Sequence, residues 1–323
     1  MYRTFFGLHR SPFDISPDPS FLYPTTQHFE ALANLYYAIR ERKGFVVLTG
    51  EVGTGKTLLV RCLLQKLEKQ RMKYAYVFSP SLTPVEFLRY VAADLGVQIE
   101  WKDKSDLLLG LYRYLIRRHN EGMSTVLVVD EAHLLSRDVL EETRLLNNLE
   151  NNRGKLLQIA LVGQPELDER LDSPDLRQLK QRIMFRCQLR PLGLEEVKEY
   201  VVWRLKRAGA NGHVPLFSAD SLQAIHQYSR GYPRLINAIC ENALISAYAA
   251  GTRAVSLSLI EEACRDLRIS ASSTPNTEAA ADAQRNGLPD NSEYKELLDD
   301  TTARLETAIA RHYDLGHPPP EGD

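Results

Sequence analysis

Apolar residues recur along this chain in two rhythms. Short apolar-rich runs at Phe45–Leu48, Tyr74–Ser79, Thr125–Val129, Leu156–Val162 and Met184–Leu189 have the length and composition of sheet strands. Between them the spacing turns helical. Phe29, Leu32, Ala33, Leu35, Tyr36 and Ile39 mark one amphipathic face within residues 26–42. Similar faces follow at Leu58–Leu67, Pro84–Leu95, Lys104–Arg118 and Arg137–Asn151. Alternating strands and helices predict an α/β fold, a parallel sheet with helices on both faces. Beyond Pro191 the pattern changes. Glu195–Arg207, Ala219–Tyr228, Pro233–Ala250 and Ser258–Arg268 all read as helices with no strand between them, a small all-helical domain.

The ends read differently. Residues 1–25 hold Phe5, Phe6, Pro12, Phe13, Pro17, Pro19, Phe21 and Tyr23. Prolines forbid a continuous helix there, while the aromatic rings require burial. This predicts an extended segment across the main domain, lining a base pocket or simply packing. From Ser270 to about Asp290 no apolar face can be drawn, which reads as linker. Residues 292–313 could form one acidic helix. The expected organisation is a lead-in at 1–43, an α/β domain at 44–190, a helical domain at 191–269 and a tail at 270–323.

Composition bounds the setting. Apolar content of 44% and charged content of 25% are ordinary for a globular protein. The apolar runs are far too short to span a bilayer, which needs about 20 residues. Four scattered cysteines, Cys62, Cys187, Cys240 and Cys264, lack metal-ligand spacing and read as reduced core residues. A cytoplasmic protein without direct membrane insertion is expected. The net charge of −2 hides an asymmetry, because eleven acids against four Lys/Arg lie beyond residue 269. The body is therefore mildly basic, about +5.

The first strand runs directly into Gly50-Glu51-Val52-Gly53-Thr54-Gly55-Lys56-Thr57, the pattern G-x-x-x-x-G-K-[ST]. The glycines let backbone N–H groups turn inward onto phosphates, and the helix starting near Lys56 aims its positive end at them. Lys56 is placed to reach the β- and γ-phosphates, and the Thr57 hydroxyl to hold Mg²⁺. ATP and Mg²⁺ are the cofactors this motif implies. Some seventy residues on, Thr125–Val129 ends in Asp130-Glu131. A strand ending in Asp presents a carboxylate to the metal, and the following Glu131 suits a general base for the attacking water. His133 reads equally as a polar neighbour of that site or as surface.

A phosphate-loop domain followed by a helical lid resembles the AAA+ ATPases. The resemblance implies further roles. Gln164, in Leu161-Val-Gly-Gln-Pro-Glu, matches the sensor-1 position that orients the attacking water. Arg234, in Gly231-Tyr-Pro-Arg-Leu-Ile-Asn, matches the sensor-2 arginine of the lid. Arg182, or failing it Arg177, matches the arginine supplied across a subunit interface. The opening Tyr2…Phe5-Phe6-Gly7-Leu8…Pro12-Phe13…Pro17-Asp18-Pro19 and the phosphate-loop phrase are similar to the ExeA-type ATPases, the general secretion pathway protein A family. The likeness covers about residues 1–268. Secretion members continue into a transmembrane helix and a peptidoglycan-binding region, whereas this chain continues into an acidic tail, a short form.

This reading implies a Mg²⁺-dependent, oligomeric ATPase. Its hydrolysis would remodel or assemble a protein partner in an envelope export or exopolysaccharide system. The alternative is an ATP switch on duplex DNA, such as a transposition helper. It draws on the basic body and on clusters such as Arg113…Arg117-Arg118 and Arg204…Lys206-Arg207, though no helix-turn-helix or zinc module accompanies them.

Overall fold

The structure, a computed structural model, describes residues 1–78, 82–98, 102–152, 154–210 and 215–270. Among these, five strands form a parallel sheet: β1 (Phe45–Gly50), β2 (Lys73–Val77), β3 (Thr125–Val129), β6 (Leu157–Gly163) and β7 (Ile183–Leu189), in the order β2-β3-β6-β1-β7. Every residue of β1, β3 and β6 is buried, as their apolar-rich sequences demand. Phe45 and Val47 point into a core with Leu127, Val129, Ile159 and Leu161. That core is closed by α4 (Pro84–Asp94), α5 (Lys104–Asn120) and α6 (Arg137–Leu146). Helices α2 (Thr26–Arg40) and α3 (Lys56–Lys69) also pack on β1.

Local chemistry sets the helix starts. Pro84 opens α4 behind a reciprocal Thr83–Glu86 capping pair, and the Asp103 carboxylate accepts from the Ser105 and Asp106 N–H groups at α5. The predicted helix over Arg137–Asn151 is too long. It stops at Leu146, where the Asn147 side chain turns inward and donates to the Leu157 carbonyl at 3.3 Å. A two-residue antiparallel ladder follows, β4 (Glu150–Asn151) with β5 (Gly154–Lys155). Strand β2 ends at Val77, and Ser79 lies outside the described residues.

The helical region is as expected: α9 (Leu194–Arg207), α10 (Ala219–Ser229), α11 (Pro233–Ala249) and α12 (Leu257–Asp266) share one core. The aromatic N-terminus departs from expectation. It begins with a short helix, α1 (Tyr2–Phe5), and sends Phe6, Leu8, Phe13 and Phe21 into the lid core. It touches the sheet domain where Pro19–Phe21 meets α3 and Arg61 donates to the Pro17 carbonyl at 2.7 Å. Buried Arg204 of α9 fastens it there. Its guanidinium donates to the Pro12 and Asp14 carbonyls and lies 4.9 Å from the Phe21 ring centre. Four short helices leave too little apolar surface to close a core alone, and the aromatic strap supplies the missing wall. The linker and acidic helix expected after residue 270 lie outside the described residues.

Candidate functional site

The strand order puts β3, β6 and β1 side by side, and their register levels their C-terminal ends: Val129 pairs with Leu161, and Leu161 with Val47. The loops leaving these strands carry the phosphate loop, Asp130-Glu131 and Gln164. One intervening strand separates the first two, about 10 Å at ordinary strand spacing. Ligands of open parallel sheets sit at this edge.

The phosphate loop folds as its glycines require. Gly53 and Gly55 have φ of 87° and 103°, and Gly55 opens α3 with no side-chain cap on the helix's first N–H groups. Lys56 curls back under the loop, its Nζ donating to the Gly50 carbonyl at 2.6 Å and the Glu51 carbonyl at 3.0 Å. Burial pulls the Lys56 ammonium below the usual lysine value, and Glu131, Asp130, Glu51 and Glu166 pull it back. Thr54 is buried and its hydroxyl donates to the Glu51 carbonyl at 2.8 Å.

Asp130 is held on both oxygens. Its Oδ1 accepts from the Glu131 N–H at 2.9 Å and its Oδ2 from the Tyr76 hydroxyl at 2.8 Å. Burial, then the Asp130 charge, push the Tyr76 phenol far above its ordinary value, so it remains a donor. Glu131 has φ 51°, a left-handed turn uncommon for a non-glycine residue. His133 lies between two sequence-chosen residues: its Nδ1 is 3.5 Å from Glu131 Oε2 and its Nε2 is 2.9 Å from Gln164 Nε2. The Gln164 backbone N–H also donates to His133 Nδ1 at 3.4 Å, so the ring is held against Gln164 through both of its nitrogens. Of the two readings of His133, the polar neighbour of the site is the one the structure supports. Arg170 of α7 (Glu166–Leu171) braces this loop by donating to the carbonyls of His133 and Leu135.

The lid closes the fourth side. Pro233 starts α11, and the Arg234 N–H donates to the Gly53 carbonyl at 3.3 Å. A side chain added at Gly53 would meet Arg234 Cβ at 3.0 Å. Arg234 therefore leaves the helix start directly over the phosphate loop. The structure thus brings together Gly50–Thr57, Asp130, Glu131, Gln164 and Arg234. It does not bring in Arg182 or Arg177. Arg182 immediately precedes β7, whose Ile183 is level with Phe45 at the opposite end of β1, and its guanidinium donates to Asn148 Oδ1. That end is about 17 Å from the loop at ordinary strand rise. Arg177 is exposed at the start of α8 (Arg177–Lys180).

Sequence reasoning overlooked Tyr76, Arg170 and also His28 of α2, whose Nε2 lies 3.3 Å from the Thr54 carbonyl oxygen of the phosphate loop. A strand tyrosine, a helix arginine and a helix-start histidine carry no signal by spacing, because each acts through a partner remote in sequence.

The residues fit a nucleotide and a magnesium ion. The cradle is lined by free helix-start amides and one buried ammonium, and Glu131 Oε2 is buried with no hydrogen-bond partner among the described residues. Among those residues no cluster of three or more His, Cys, Asp or Glu could cage a metal. Thr57 and Asp130 offer the one or two protein oxygens that Mg²⁺ takes, the rest of its shell being phosphate and water.

Fold and site together define a AAA+ P-loop protein with a helical lid. Residues 39–171 match the family model described as AAA domain. Solved structures of the same fold include Cdc6p from Pyrobaculum aerophilum, 18% identical with a TM-score of 0.61 over 85% of this chain and 73% of that one. They also include the Drosophila ORC bound to DNA, 22% identical with a TM-score of 0.61 over 96% of this chain and 79% of that one. Within the AAA+ class the chain is a relative of General secretion pathway protein A of Aeromonas hydrophila, 46% identical over 256 residues, as the opening aromatic phrase suggested. The match takes in 79% of this chain and 46% of that protein, so the chain spans about half the length of the curated relative it matches.

Proposed function

We propose that this chain is a Mg²⁺-dependent ATPase of the AAA+ class, acting on the cytoplasmic side of an envelope export or exopolysaccharide system. The observation that carries the reading is the convergence of Lys56, Asp130, the Glu131–His133–Gln164 cluster and Arg234 on three neighbouring strand ends and one lid helix start. Lys56 and the amides of Gly53 to Thr57 bind the phosphates, and Thr57 and Asp130 supply the metal's protein oxygens. When bound, Mg²⁺ neutralises phosphate charge and fixes the phosphate geometry. Glu131 takes the proton of the attacking water, and Gln164 holds that water in line. Arg234 carries the loss of the γ-phosphate into the lid, changing the angle between domains. Arg182, turned away from its own cleft, completes a neighbour's site in a homo-oligomer.

The partner reading rests on the likeness to General secretion pathway protein A. Hydrolysis would then drive remodelling or assembly of a protein in a membrane-associated export apparatus. Among the described residues no helix is long and apolar enough to cross a membrane. The test is phosphate release by Glu131→Gln, expected to retain ATP yet turn over about 10²–10⁴-fold more slowly. Undiminished turnover would remove Glu131 from the reaction. Repeating the assay with duplex DNA at falling salt separates the two partner readings, since binding to phosphate backbone steepens as salt falls.

A further inference from the structure

The first turn of α2 carries a histidine under the phosphate loop. His28 is 6% exposed, with Nδ1 2.5 Å from Thr25 Oγ1 and Nε2 3.3 Å from the Thr54 carbonyl oxygen. The hydroxyl of Thr25 already accepts from the His28 N–H at 3.2 Å, so its own proton is free for Nδ1. Nδ1 accepts, Nε2 keeps the ring proton, and that proton points at Thr54. Burial lowers the pKa of this ring, which favours the neutral tautomer the geometry requires.

Thr54 O belongs to the same planar unit as the Gly55 N–H, and in a trans peptide the two point in opposite directions. Holding the carbonyl toward α2 therefore turns the Gly55 N–H away from α2, into the loop where α3 begins. There is no slack in the arrangement, because a side chain on Gly55 would stand 3.3 Å from His28 Nε2. The turn is anchored independently: the Gln27 side chain donates to the Arg190 carbonyl at 3.0 Å and accepts from the Arg190 N–H at 2.9 Å. Loss of the His28 ring thus leaves α2 in place.

We infer that His28 is a positioning residue of the phosphate cradle: its Nε2–H fixes the Thr54–Gly55 peptide so that the Gly55 N–H is preset to donate to a phosphate oxygen. The inference rests on the nucleotide reading above and assigns a residue outside the phosphate-loop motif to it. The lead-in helix then does more than deliver the chain to β1. It sets the donor geometry that the nucleotide meets.

Two readouts test it on the full chain. The first is amide hydrogen exchange without nucleotide. In His28→Leu, which keeps the bulk and loses the donor, amides of residues 53–57 exchange faster while those of β1 and β3 are unchanged. The second is a titration with fluorescently labelled ADP, in which His28→Leu binds about tenfold more weakly and His28→Gln, whose amide can donate to Thr54, binds within about threefold of the parent. Equal exchange and equal affinity in His28→Leu overturn the assignment, as does a Gln variant no better than Leu. If His28→Leu does not fold, His28→Gln decides alone, a tenfold loss in it counting against the donor role. A parent chain that binds no ADP defeats the nucleotide reading instead, while the exchange measurement still judges the brace.

Discussion

Replacing Gly53 with alanine tests whether the lid helix is seated on the phosphate loop. Two costs are separable in the structure. At φ 87° an L-residue is strained, worth about 1–2 kcal/mol. The new methyl would also stand 3.0 Å from Arg234 Cβ, where ordinary contacts begin at 3.4 Å. Relieving it means lifting α11 or distorting the loop, and overpacking of this kind costs about 1–3 kcal/mol. Gly53→Ala is therefore expected to lose about 2–5 kcal/mol in urea denaturation. Gly96→Ala is the control: φ is 75° with nothing within 4 Å of the added atom, so it should lose only the strain, about 1–2 kcal/mol. Combining Gly53→Ala with Arg234→Gly, which removes the opposing Cβ, should recover about 1 kcal/mol or more relative to additivity. Strict additivity of the pair, or equal losses at the two glycines, would show that α11 does not rest on Gly53. The proposed transmission from nucleotide to lid would go with it.

Three further outcomes follow from the same geometry. Lys56→Ala removes the buried ammonium under the loop and should weaken ATP binding at least about tenfold in a fluorescent-nucleotide titration. Unchanged affinity would exclude Lys56 from the phosphates. Phe13, fully buried and edge-on to Phe217 at 6.0 Å, should lose about 3–5 kcal/mol on truncation to alanine in a denaturant melt. A surface-like loss below about 0.5 kcal/mol would mean the strap is not part of the lid core. Because burial places the folded-state pKa of His28 below its unfolded value of about 6.5, the unfolded chain binds the proton first as pH falls. The stability contribution is thus complete above pH 6.5 or so and is lost as pH drops through the folded value. Thermal melts between pH 7.5 and 5.5 should show a shallower decline in His28→Gln than in the parent, and matching slopes would contradict a neutral buried ring.

Much of the fold was legible because its three central strands, β1, β3 and β6, are buried on both faces. A strand such as Thr125–Val129 must be mostly apolar and β-branched, and a helix between two such strands must show one apolar side, so α/β alternation is written locally. The phosphate loop was legible for a related reason: its chemistry is done by contiguous backbone, and only glycines at fixed offsets permit it. Asp130 and Glu131 could be read because a strand end aims them. The sequence alone therefore determined the nucleotide cradle, its neighbouring acids and the helical character of the lid.

What it left undecided depends on contacts between distant residues. Aromatic residues 5–23 announced burial but not a destination, because hydrophobic attraction has no direction; the lid core, open on one side, decided it. The helix after Arg137 was overextended because its end depends on Asn147 reaching Leu157, a contact created only when β6 is laid beside β3. Tyr76, Arg170 and His28 gained their roles the same way, each through hydrogen bonds to a loop far along the chain. Periodicity and motif spacing report what a residue does to its own segment. Which segment a side chain then serves is settled by packing, which places tens or hundreds of intervening residues out of the way.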